Sequence, residues 1–191
     1  MEPGNAPRRL PHTDANGIRS LGMNFFLASS TMMFGALLLL YALLRKGAVT
    51  WERPGGIALA AAATAAIATS SAVLHQGVQA LLRARPHLLP SRLLATICLG
   101  VAFLAIEVLL WRQLWLDGYV TGNPQAGTFY VLTVFHFLHV AIAIGLLIWL
   151  LPGSLQRRYH ANDHVRVRLV ARFWHFLGVN WLLLFVALFL A

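Results

Sequence analysis

The fold turns on the stretch "FYVLTVFHFLHVAIAIGLLIWLL", residues 129–151, an apolar run interrupted by two histidines. About 20 predominantly apolar residues make one helical crossing of a hydrocarbon core roughly 30 Å thick, and this run is long enough. A neutral imidazole in hydrocarbon still carries a donor and an acceptor, and leaving either unpaired costs on the order of one to several kcal/mol. His136 and His139 therefore need partners inside the protein. Their spacing, about 300° of helical turn, puts them on neighbouring rows of one face.

The rest of the chain matches this reading. It is 59% hydrophobic and 11% charged, with a mean hydropathy of +0.69, well outside the range of a soluble domain. Five stretches are long and apolar enough to cross a membrane, at about 21–44, 56–82, 93–115, 128–151 and 171–191. The expected fold is an all-α integral membrane bundle. Residues 1–20, with Pro3, Gly4 and Pro7, read as a partly disordered cytoplasmic tail, and 21–191 as one five-helix transmembrane domain. The connections at 45–55, 83–92 and 116–127 are short, which predicts that consecutive helices are antiparallel neighbours. The basic loop at 152–170 is long enough to fold over the surface; it reads as solvated, with anionic headgroups or a partner subunit as the alternative.

The net charge of +9 comes from the tail and the loops, with no aromatic-basic surface, so nucleic acid is not the expected partner. With the N-terminus inside, the cytoplasmic side holds Arg8, Arg9, Arg19, Arg83, Arg85, Arg92, Arg157, Arg158, Arg166, Arg168 and Arg172, eleven of the 15 basic residues. The other side holds Arg45, Lys46, Arg53 and Arg112. The positive-inside rule then predicts a cytoplasmic N-terminus and an outer C-terminus. Cys98 is a lone cysteine within a span, which offers neither a disulfide framework nor a thiolate zinc site. The first apolar run follows a polar tail and is longer than a signal h-region, so no cleavable signal is expected.

The second span, "GIALAAAATAAIATSSAVL" (56–74), is dominated by Ala, Ser and Thr. Small side chains let helix backbones approach closely in lipid, so this helix is expected to lie inside an assembly. The polar groups within the spans are His75, Glu107, Arg112, His136, His139, His175 and Asn180. Arg112 is near a span end and can snorkel to the interface. Glu107 is deeper, and either stays protonated as a structural carboxyl, pairs with His136, His139 or His175, or handles protons. Three readings of the histidines stand on spacing: interhelical hydrogen bonds, axial ligation of a b-type haem by His75, His136, His139 and His175, and a non-haem metal. A small proton-coupled transporter with Glu107 as its proton site is a further possibility.

The residues themselves point to a family. "GTFYVLTVFHFLHVAIAIG" (127–145) resembles the cytochrome c oxidase subunit III signature, in which Thr-Phe-Tyr/Phe-Val-Leu-Thr leads into Phe-His-Gly-Leu-His-Val and a later Gly. "RFWHFLGVNWLLLFVALFL" (172–190) resembles the family's closing helix. "LGMNFFLASSTMMF" (21–34), "TAAIATSS" (64–71) and "LGVAFLAIEVLLW" (99–111) are similar to its other bundle helices, so the resemblance covers all five spans in order. The matching positions are Gly22, Met23, Ser29, Thr64, Ser70, Ser71, Gly100, Phe103, Thr133, Phe135, Gly145 and Trp181.

The resemblance implies the five-helix form of a family whose larger members add two helices across a lipid-holding cleft. It implies a non-catalytic accessory subunit of an oxidoreductase complex in a bacterial inner membrane, supporting assembly, stability and lipid packing in respiratory electron transport. The chain itself would bind no haem or copper. Haem with copper, or with non-haem iron, would belong to the catalytic partner subunit, and phospholipid would be a further ligand. Glu107, His136, His139, Trp174 and His175 would be interhelical polar contacts. The departures are Ser30 and Leu110 where the family has Glu, Glu107 where it has Gln, Phe137 where it has Gly, and Gly178 where it has Asp. Such divergence also fits the sister branch that accompanies nitric oxide reductases.

Overall fold

The computed structural model describes residues 12–48, 54–119, 124–156, 159 and 164–190. Five helices are long and apolar enough to span a membrane: α1 (His12–Gly47), α2 (Ile57–Leu82), α3 (Leu89–Leu116), α4 (Pro124–Leu155) and α5 (Val165–Phe185), the last running into a π-helical turn, Val186–Leu190. No strand occurs among the described residues.

Several helices overrun the apolar stretches that predict them. At 1.5 Å per residue, the 36 residues of α1 reach about 54 Å, well beyond a roughly 30 Å hydrocarbon core. Residues 12–20, expected in a partly disordered tail, are helical; residues 1–11 lie outside the described residues. Helix geometry continues into the headgroup layer because polar side chains there are solvated at no cost to the backbone hydrogen bonds. Pro124 opens α4, where a missing N–H is harmless and its fixed φ suits the first turn. Pro152 does not end that helix; Ser154 Oγ donates to the Leu151 carbonyl at 2.7 Å through the final turn.

One packing rule runs through the bundle. Buried residues recur at alternating steps of three and four: Ala60, Ala63, Ile67, Ser70, Leu74, Gly77 and Leu81 on α2; Leu93, Thr96, Gly100, Phe103, Glu107, Leu110 and Leu114 on α3; Phe129, Thr133, His136, Val140, Ala143, Leu147 and Leu150 on α4; Val167, Val170, Trp174, Leu177, Trp181 and Leu184 on α5. A seam with a mean repeat of 3.5 residues keeps facing its neighbours along the whole length of helices packed at a shallow left-handed angle.

The seams of α2, α3, α4 and α5 close a four-helix ring, with α2 on α3 the most extensive pairing and α5 returning to α2. The expectation of sequential neighbours describes these four helices but not the first. α1 lies outside the ring and packs chiefly on α4 and α5 rather than on α2. Its rings account for this: Phe34 meets His136 and His139 of α4, with centroids 6.1 and 5.3 Å away, and Phe26 meets Phe173 of α5 at 5.2 Å. The outer surface of α2 is alanine and offers no such contact.

Gly100 sets the depth of one crossing. A Cβ there would lie 2.6 Å from Trp174 Cη2 and 3.2 Å from Ile144, and a buried indole has little freedom to withdraw. Gly100→Ala is expected to destabilise the bundle by about 1–3 kcal/mol, read as a lower thermal midpoint in detergent. Gly145→Ala, at a position with no atom within 4 Å, is expected to leave that midpoint unchanged or raise it.

Candidate functional site

An indole N–H is a donor with no acceptor of its own, so a tryptophan buried in hydrocarbon must find an oxygen on another group. Three do so across helix boundaries. Trp174 donates to Ser70 Oγ at 3.0 Å and Trp181 to Thr64 Oγ1 at 3.0 Å, both tying α5 to α2. Trp111 of α3 donates to Thr133 Oγ1 of α4 at 3.1 Å.

Each receiving hydroxyl directs its own proton along its own helix. Ser70 donates to the Ile67 carbonyl at 2.8 Å, Thr64 to Ala60 at 2.8 Å and Thr133 to Phe129 at 3.0 Å. The hydroxyl thus joins a surplus backbone acceptor to a foreign N–H, with no polar hydrogen left over. A fourth link joins Ser71 Oγ and His175 Nδ1 at 2.8 Å, beside a ring contact of 6.1 Å between His175 and His75.

The remaining polar residues sit differently. His139 bonds within its own helix, Nδ1 to the Phe135 carbonyl at 2.7 Å. A carbonyl can only accept, so Nδ1 carries the hydrogen. His136 is fully buried, touching Phe34 of α1, Phe103 of α3 and Trp181 of α5. Neither of its nitrogens has a hydrogen-bond partner among the described residues, nor does either Glu107 oxygen or Asn180 Nδ2.

α3 and α4 run antiparallel, with Phe103 against His136 and Trp111 bonded to Thr133. Glu107 is one turn from both Phe103 and Trp111, so it lies between these contacts on the same seam. Hydrogen bonds across helices were expected of Glu107, His136 and His139. In the structure His136 is enclosed by aromatic rings, Glu107 is buried with no hydrogen-bond partner among the described residues, and His139 turns back on its own helix.

Of the positions singled out by the sequence, Thr64, Ser70, Ser71, Gly100, Phe103, Thr133, Trp174, His175 and Trp181 come together along the interior contacts. Met23 is half-buried, and Gly22, Ser29, Phe135 and Gly145 face outward. Trp111 and Phe34 were not singled out. The signal for Phe34 was the alternation of three and four, which places it on the inward row of α1 with Ser30 and Tyr41; Trp111 stands beside the corresponding row of α3, half-buried next to Leu110. Among the described residues, no three His, Cys, Asp or Glu side chains are grouped to hold a metal ion.

Four spans seamed into a ring and cross-linked by indole–hydroxyl bonds, with a fifth packed on its outside, define a multi-pass α-helical membrane protein. A family model described as cytochrome c oxidase subunit III matches residues 11–191. Among similar proteins, the cytochrome c oxidase subunit 3 of Thermostichus vulcanus is 32% identical over 176 residues, covering 90% of this chain and 87% of that one. The protein of the same name from Synechocystis sp. is 30% identical over 193 residues, covering 98% and 81%. That of Tachyglossus aculeatus aculeatus is 33% identical over 97 residues, 51% of this chain and 36% of its own. The chain belongs to the cytochrome c oxidase subunit III family, a family of non-catalytic subunits of haem-copper oxidases that carry no redox cofactors of their own. It is a multi-pass protein of a bacterial membrane.

The Trp174–Ser70 bond is testable by a double-mutant cycle. Ser70→Ala leaves a buried indole N–H without an acceptor and is expected to cost about 1–3 kcal/mol. In the Trp174→Phe background the same change is expected to cost much less, a coupling that denaturation of all four proteins in one detergent would measure.

Proposed function

We propose that this chain is the accessory subunit of a cytochrome c oxidase and that the catalytic subunit docks on the outer face of α2. The partner holds the haem and copper, and electron transfer and oxygen reduction take place there. The observation that carries this reading is the make-up of that face: Ala58, Ala61, Ala62, Ala65, Ala68, Thr69 and Ala72 are exposed. Among the described residues, large exposed apolar side chains occur on α2 only at its ends, Ile57 and Leu82, whereas each of the other four helices presents several along its length. Leu, Ile, Val and Phe suit acyl chains; a smooth alanine face suits another helix at close range. The other faces are then the ones that acyl chains cover.

Orientation follows from charge. Among the described residues, Arg19, Arg83, Arg85, Arg92, Arg166, Arg168 and Arg172 lie toward the end of the bundle that holds the α2–α3 turn, and Arg45, Lys46 and Arg112 lie toward the other. This supports a cytoplasmic N-terminus and an outer C-terminus. Reporter fusions at the two ends are expected to report opposite compartments; the same compartment from both would overturn the topology.

Purification in mild detergent from the native membrane is expected to recover the chain with a haem-bearing subunit. Ala65→Leu combined with Ala68→Leu is expected to reduce that recovery at least tenfold while the five-helix bundle stays folded. A partner with haem and non-haem iron, reducing nitric oxide, would move the protein to the sister branch.

For Glu107 and the interior histidines we infer a structural role in the seam. A buried carboxyl with no hydrogen-bond partner among the described residues is replaceable by an apolar group of similar size at little cost. Both Glu107→Gln and Glu107→Leu are therefore expected to assemble and turn over within about twofold of the native complex. Normal assembly with collapsed turnover would make Glu107 a proton carrier instead.

A further inference from the structure

A bowl of about 470 Å³ opens at the turn between α2 and α3, lined by His75, Gln76, Gln79, Ala80, Arg83, Arg85 and Leu88. Residues 75 and 76, 79 and 83 follow one another by single turns, so they form one stripe down the last two turns of α2. Arg85 reaches the same bowl from beyond the turn because Ala84 adopts a left-handed conformation, φ 56°. That turn is closed by bonds from Arg85 N–H to the Ala80 carbonyl at 2.9 Å and from Ala84 N–H to Leu81 at 3.2 Å. A non-glycine residue is held there against its backbone preference, and the result is two guanidinium groups on one cavity.

No Asp or Glu lines the bowl beside Arg83 and Arg85 among the described residues. The 26 residues of α2 measure about 39 Å at 1.5 Å per residue, longer than a hydrocarbon core of roughly 30 Å, so this end emerges at headgroup level. Leu82, exposed beside the bowl, continues its rim into the apolar zone.

We propose that this bowl is a binding site for a phosphate group, held by Arg83 and Arg85 with Gln76, Gln79 and His75 completing the donor set. Guanidinium pairs with phosphate through two parallel N–H donors, and the carboxamides and imidazole supply donors without adding fixed charge. Its level at the bilayer surface favours the phosphate of an anionic lipid headgroup; a soluble phosphate compound offers the same chemistry.

The test uses the full chain in detergent, with phosphatidylglycerol, phosphatidylcholine and inorganic phosphate as probes, and reads retained lipid by native mass spectrometry and thermal midpoint in titration. Variants are Arg83→Gln with Arg85→Gln, and Arg112→Gln as a control at the opposite end. The expected result is one phosphatidylglycerol retained in preference to phosphatidylcholine, with retention falling at least tenfold in the double variant and unchanged in the control. Saturable stabilisation by inorganic phosphate that the double variant abolishes, without lipid retention, would also support the site and identify a soluble source. Binding that is equal in the double variant and the native chain, or no binding of any probe by a native chain that melts cooperatively, would overturn the proposal.

Discussion

The indole N–H in hydrocarbon is the constraint on which the bundle depends. Tryptophan fills a wide crossing with rigid apolar surface, but it carries a hydrogen that lipid cannot answer. The solution is a Ser or Thr whose own hydrogen is already bound to its helix backbone. Ser70 and Thr64 offer their free lone pairs to Trp174 and Trp181, so α5 is held to α2 at two levels nearly two turns apart. Thr133 does the same for Trp111 between α3 and α4. With these links made, the four-helix ring has a fixed register, and α1 needs only the aromatic groove of α4 and α5 to attach.

Much of this was legible in the sequence. Five spans follow from length and hydropathy, and the family follows from stretches such as "GTFYVLTVFHFLHV" and "RFWHFLGVNW". Trp174, Ser70 and Thr64 stood out by position. Pairing was not legible, because which hydroxyl meets which indole depends on antiparallel register between α2 and α5, helices far apart in the chain. The ends of α1 and α5 were also hidden, since hydropathy marks where lipid begins and not where helix geometry stops. Glu107 and His136 were read as partners for other helices because a polar group in lipid demands one. Burial of His136 among Phe103, Phe34 and Trp181, and of Glu107 with no hydrogen-bond partner among the described residues, shows that tertiary packing can enclose such groups without supplying one.

α2 has two faces with different tasks. Its inward row, from Ala60 to Leu81, packs against α3 and α5. Its outward alanines present backbone where other helices present leucine. The helix richest in small residues is therefore both the one its neighbours approach most closely and the one best suited to contact another subunit.

The bond from Trp174 to Ser70 joins residues 104 positions apart, and that from Trp181 to Thr64 joins residues 117 apart. During synthesis α2 enters the membrane long before α5 exists. Until the last span is delivered, the ring is an open trough whose wall carries lone pairs with no donor to meet them. Closure therefore waits on α5: without it the four earlier spans form an open groove in which the hydroxyls of Ser70 and Thr64 lack the indoles they receive.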